Sequence, residues 1–146
     1  MTAREYLEKI RLINFEQRRL YKEILTLENS LYNCKGVNYE RNHVTGGNIS
    51  DLSSKVLLIE KTLHKRREEY QFLLDLQDEA RKRINAVTNK LFVNILLSYY
   101  INSCTLLELK RMLNYEKSSI YQKKKQAIQA FERANSRFLG SIKDIY

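Results

Sequence analysis

The chain has 146 residues, 43% of them hydrophobic and 29% charged, with 26 Lys and Arg against 17 Asp and Glu for a formal net charge of +9. That length makes one ordinary domain or two small ones and can bury a core without a metal or disulfide staple. It holds no run of about 18 apolar residues for a membrane span, and its opening, MTAREYLEKI, enters charged helix-like sequence with no secretory apolar core. Cys34 and Cys104 lie far apart with no CxxC spacing, so reduced thiols and a soluble cytoplasmic protein are expected.

Proline is absent and glycine occurs four times, so little interrupts helices and an all-α fold is expected. From Thr2 to Asn33, Tyr6, Ile10, Ile13, Leu20, Ile24, Leu27 and Leu31 fall in four-three steps, with Gln17 as the one polar member of the seam. Thr2 and Glu5 form a capping-box pair at its start. The stretch Cys34–Asn48, CKGVNYERNHVTGGN, holds three of the four glycines and reads as a connecting loop, with Val37, Tyr39 and Val44 alternating as in a small hairpin. A second seam follows through Leu52, Val56, Ile59, Leu63, Tyr70, Leu73, Ala80, Ile84 and Val87, with Arg66 and Gln77 as polar members. Residues 1–88 therefore read as a long, coiled-coil-like antiparallel helical hairpin around the loop 34–48. The same period fits long helices pairing with a second copy, as a homodimer.

Residues 89–146 read as a separate three-helix unit. Asn89–Ile101 is densely apolar and predicts a buried helix. Thr105 with Glu108 predicts a second capping box, opening a helix with Leu106, Leu109 and Leu113 inward. Asn114 tolerates the left-handed conformation that ends helices. The chain is then expected to restart near Ser118 with Ile120, Ala127, Ile128 and Phe131 on one face, extend to Phe138 or Leu139, and fray after Gly140. Two short helices and a tight turn make a helix-turn-helix pattern, whose second helix enters the DNA major groove.

Charge supports that destination. Residues 1–88 carry 16 Lys and Arg against 13 Asp and Glu, net +3, while residues 89–146 carry 10 against 4, net +6. The candidate DNA-contacting residues are Arg111, Lys117, Ser118, Ser119, Gln122, Lys123 and Gln126. The lysines suit phosphates, and glutamine has the donor and acceptor to pair with adenine. Lys123, Lys124 and Lys125 are adjacent, so they point about 100° apart and cannot share one face. Arg133 and Arg137 lie further along for flanking backbone, and Tyr39, Tyr115 and Tyr121 are the tyrosines free of the packing pattern. Neither His43 nor His64 has metal-ligand spacing, and no nucleophile, phosphate-loop or metalloprotease motif occurs. No catalytic residue, metal or cofactor is expected.

The stretch LLSYYINSCTLLELKRMLNYEKSSIYQKKKQAIQAF resembles the region-four helix-turn-helix of sigma factors. With the long helix before it, the loop GVNYERNHVTGGNISDL and the second long helix, nearly the whole chain resembles the phage and prophage proteins grouped as ArpU- and RinA-like late transcription regulators. That resemblance implies a phage or prophage regulator in a bacterial host cell, binding double-stranded DNA and aiding host RNA polymerase at late genes. Thr105–Leu113 would be its supporting helix and Ser118–Phe131 its recognition helix. Three positions depart from the motif: Lys110 where a small residue is usual, Glu116 at the recognition-helix cap, and Lys124 where an apolar residue would fall. These departures favour the alternative, a helical adaptor or inhibitor that binds a host polymerase or defence nuclease instead of DNA.

Overall fold

The structure is a computed structural model that describes residues 1–40 and 49–145, with side chains described for 1–34 and 51–145. Among these residues the protein is all-helical and has no strand. The helices are α1 (Ala3–Glu40), α2 (Ile49–Asn85), α3 (Lys90–Leu96), α4 (Leu106–Leu113), α5 (Lys117–Ala134) and α6 (Ser136–Ser141), with a π-helical turn, Leu97–Ile101, continuing α3. No helix among the described residues is long and apolar enough to cross a membrane.

The expected connector begins too early. The backbone stays helical through Glu40, because one glycine inside a helix costs only about 1 kcal/mol and Gly36 has no proline beside it. Val37 and Tyr39 therefore belong to α1, not to a small hairpin, while His43 and Val44 lie outside the described residues. At the other end of α1, Thr2 and Glu5 complete their capping box. The Thr2 amide donates to Glu5 Oε2 at 2.8 Å, and the Glu5 amide donates to Thr2 Oγ1 at 3.2 Å. Hydrogen bonding from the Thr2 amide, and then from the Thr2 side chain, holds the Glu5 carboxyl below its usual range.

The described chain forms two compact units: Met1–Glu16 with Leu73–Tyr146, and Gln17–Phe72. The expected boundary at residue 88 thus falls inside the first unit. The second unit joins part of α1 to part of α2. Leu20, Ile24 and Leu63 are buried between them, and Tyr21 meets Tyr70 with ring centroids 6.4 Å apart. The polar seam member Arg66 binds Glu23 at 3.1 Å and Glu69 at 3.1 Å, and Arg67 binds Glu28 at 2.9 Å. His64 pairs with Glu68 one turn away.

The first unit owes its core to both ends of the chain. Tyr6, Leu7, Ile10 and Ile13 of α1 are fully or almost fully buried, with Ala80 and Ile84 of α2, Ile95 and Leu96 of α3, and Phe131 of α5. Tyr6 stacks on Phe131 at 5.8 Å and meets Phe138 edge-on at 5.4 Å. Lys9 closes an ion pair with Asp144. Helix α5 does not run on to Phe138: it breaks at buried Asn135, whose side-chain amide donates to the carbonyls of Arg83 and Phe131, both at 3.0 Å. That side chain offers the backbone bonds outside the helix ladder, which is how asparagine ends helices.

The end of α3 is the most constrained place in the unit. The Asn102 amide reaches back five residues to the Leu97 carbonyl at 2.9 Å, the Cys104 amide reaches Ser98 at 2.9 Å, and Ser103 takes a left-handed φ of 57°. The last carbonyls of a helix lack partners within it, and here α1 supplies them. Arg11 donates to the carbonyls of Tyr99 at 2.6 Å and Cys104 at 3.1 Å. Asn14 donates to the carbonyl of Tyr100 at 2.9 Å and to the Ser103 hydroxyl at 2.6 Å, and itself accepts from Gln77 at 2.7 Å. Asn14 and Gln77 are both buried, so the polar seam member Gln77 is one link of a buried hydrogen-bond chain from α2 through α1 to α3.

One polar atom is left over. The Tyr100 hydroxyl is buried without a hydrogen-bond partner. Burial pushes the Tyr100 phenol well above its ordinary value and the Tyr6 phenol up to about 12. Removing the Asn14 side chain takes a hydrogen-bond partner from Gln77, the Tyr100 carbonyl and the Ser103 hydroxyl, whereas removing the Tyr100 hydroxyl relieves an unmet donor. Urea unfolding should therefore give opposite signs: Asn14→Ala loses about 3 kcal/mol and Tyr100→Phe gains about 1 kcal/mol. Equal and small effects at both positions would contradict this assignment.

Candidate nucleic-acid interface

Helices α4 and α5 are joined through Asn114, Tyr115 and Glu116. The Thr105 hydroxyl accepts from the Glu108 amide at 3.2 Å and starts α4, as its position predicts. Asn114 adopts φ 55° and ψ 36°, the left-handed conformation, and stops α4 after Leu113. Glu116 precedes α5 in extended conformation but makes no side-chain cap. Buried Leu109 of α4 and Ile120, Ala127 and Phe131 of α5 face the core, and α5 packs against both α3 and α4.

This packing sorts the candidate residues. Arg111, Lys117, Ser118 and Gln122 are exposed, whereas Ser119, Lys123 and Gln126 are half-buried on the flank of α5. Lys125, considered above only within the lysine triplet, and Gln129, not among the candidates, are also exposed. With Ser118 and Gln122 they are spaced four, three and four, which makes one stripe along the helix opposite Ala127. Tyr121 borders that stripe and is 51% exposed. The signal was present in the spacing, but only burial of Ile120, Ala127 and Phe131 says which stripe faces out.

The three adjacent lysines part company as helix geometry requires. Lys125 is exposed, Lys123 is half-buried, and Lys124 places its ammonium 4.0 Å from the centre of the Tyr99 ring. Arg11 lies over the same ring at 3.8 Å. Lys124 thus stands at an expected apolar position because a half-buried aromatic ring there accepts a cation. Lys110 is half-buried, and α4 packs against α5 despite it.

Arg19, Arg66, Arg67, Arg81 and Arg83 each have a carboxylate partner within their own stretch of helix pair. Among the described residues no carboxylate pairs with Arg111, Lys117, Lys123 or Lys125, and four carboxylates serve the whole of residues 89–146. The resulting surface repels itself and attracts a polyanion.

Other chemistry finds less to work with. Burial, with the Glu108 carboxylate beside it, raises the Cys104 thiol above its ordinary value, which disfavours the nucleophilic thiolate at neutral pH. Cys34 and Cys104 are both free thiols. Among the described residues no three His, Cys, Asp or Glu side chains gather as metal ligands. Comparison with protein-family models, with curated proteins and with solved structures finds no match.

The uncapped start of α5 is open to test. A serine at an N-cap accepts from the backbone amides that Glu116 leaves unserved, at the cost of a favourable charge near the helix N-terminus. Glu116→Ser should stabilise the protein by about 0.5 kcal/mol and raise its thermal midpoint in circular dichroism. A lowered midpoint would show that α5 starts differently.

Proposed function

We propose that the protein is a DNA-binding transcription regulator: α4 and α5 form a helix-turn-helix, and the outer side of α5 enters the major groove. The observation that carries this reading is the exposed polar stripe of Ser118, Gln122, Lys125 and Gln129 on α5, in a stretch where Arg111, Lys117, Lys123 and Lys125 have no carboxylate partner among the described residues. The left-handed Asn114 and the burial of Leu109 against Ile120's helix supply the bend that such a motif requires. Arg111, Lys117 and Lys123 take phosphates, Ser118 and Gln122 face the groove, and Ser119 and Gln126 border it. The long helices form the hairpin arm of the regulator, which serves dimer formation or docking on host RNA polymerase. The sequence resemblance to ArpU- and RinA-like proteins supplies the setting, phage late genes in a bacterial host.

A second reading keeps the fold and changes the partner. Leu107 and Met112 of α4 are 56% and 57% exposed, and apolar groups beside cations also suit a protein surface. An adaptor or inhibitor of a host nucleic-acid enzyme would use them. Duplex binding separates the two. With three phosphate-facing cations, affinity should fall about 40-fold between about 50 and about 200 mM salt, and Lys117→Ala with Lys123→Ala should reduce that fall to about threefold. Fluorescence anisotropy on a mixed-sequence duplex reads both quantities. Absence of duplex binding at low salt, with the protein folded, would reject the regulator reading.

A further inference from the structure

We infer that Gln122 and Lys125 are the base-reading pair of this protein, and that its target carries an adenine beside a guanine. The inference rests on the DNA-binding reading above and adds the identity of the bases. The candidate lysines divide by burial: Lys124 is held over the Tyr99 ring and Lys123 is half-buried, which leaves Lys125 as the lysine of the triplet on the outward stripe. Gln122 lies three residues before it and on the same stripe, also exposed.

Chemistry assigns a base to each. Glutamine offers one donor and one acceptor at its amide and matches N6 and N7 of adenine. Lysine offers donors alone and matches the two acceptors O6 and N7 of guanine, and it has nothing to accept the amino group of adenine or cytosine. Spacing fits neighbouring bases. Three residues advance about 4.5 Å along a helix, and successive base pairs are about 3.4 Å apart. Ser118, another four residues back, reaches about 6 Å further along the groove and hydrogen-bonds several bases with little preference. Gln129 lies a further turn toward the helix C-terminus, past the N-terminal part that approaches base edges in such motifs.

Glu116 and Glu132 are the acidic side chains on or next to α5, and neither belongs to the Ser118–Lys125 stretch. No carboxylate there accepts a cytosine amino group, which favours the two-bond contacts to adenine and guanine.

The test is selection of bound sequences from a randomised duplex pool by the full chain, repeated with Gln122→Ala, Lys125→Ala and Lys123→Ala. Both reading residues are exposed, so the variants keep the fold, which circular dichroism verifies. Enrichment of adjacent adenine and guanine is expected. Gln122→Ala should relax the adenine alone and Lys125→Ala the guanine alone, each by about tenfold in discrimination. Lys123→Ala should weaken all sequences alike. Duplex binding without base enrichment, or enrichment that survives both Gln122→Ala and Lys125→Ala, overturns this inference and leaves the DNA-binding reading standing. No duplex binding by any form removes both.

Discussion

The first unit depends on one hydrogen-bonded constraint: the unpaired carbonyls at the end of α3 are satisfied by side chains of α1. Arg11 serves Tyr99 and Cys104, Asn14 serves Tyr100 and Ser103, and Gln77 of α2 holds Asn14 in place. A left-handed Ser103 and a widened helical turn are costly conformations that persist where surrounding contacts over-determine them. Asn14, buried with each end of its amide engaged, is such a contact. The consequence reaches α5, because Arg11 and Lys124 share the Tyr99 ring. The surface proposed to meet DNA is therefore positioned by the first turns of the chain as well as by its own helices.

This arrangement gives a physical reason for the division of labour among cations. Arg19, Arg66, Arg67 and Arg83 of the long helices pair with carboxylates three or four residues away or on the other helix. The cations around α5 divide into one that packs on an aromatic ring and several that meet no carboxylate. Surface ion pairs contribute little to stability, so leaving cations unpaired costs the fold little and keeps them available to a polyanion. The exposed apolar groups of α4, Leu107 and Met112, lie next to this surface in sequence.

Much of the fold was legible because its signals are local or periodic. Most of the four-three seam members from Tyr6 to Ile24 and from Leu63 to Ile84 are buried where their period places them, with Gln17, Arg66 and Tyr70 half-buried, and Thr2, Thr105 and Asn114 cap and stop helices as their side chains dictate. What failed to show was long-range. Asn14 looks like an ordinary polar position until Tyr100 and Gln77 are brought to it, and Asn135 looks helical until the Arg83 carbonyl arrives. Gly36 looked like a breaker, but a single glycine is too weak a signal to end a long helix. In the candidate interface, charge and spacing singled out α4 and α5. They could not separate Lys123, Lys124 and Lys125, since only packing decides which direction of a helix is outward.

The C-terminal helices belong to one compact unit with the start of α1 and the end of α2. The most direct measurement is the helicity and thermal unfolding of a fragment covering residues 89–146, compared with the full chain by circular dichroism. Without Tyr6, Arg11, Asn14 and Gln77, the fragment should lose most of its helix and show no cooperative transition. A fragment that melts cooperatively with native-like helicity, and binds duplex as the full chain does, would contradict the account.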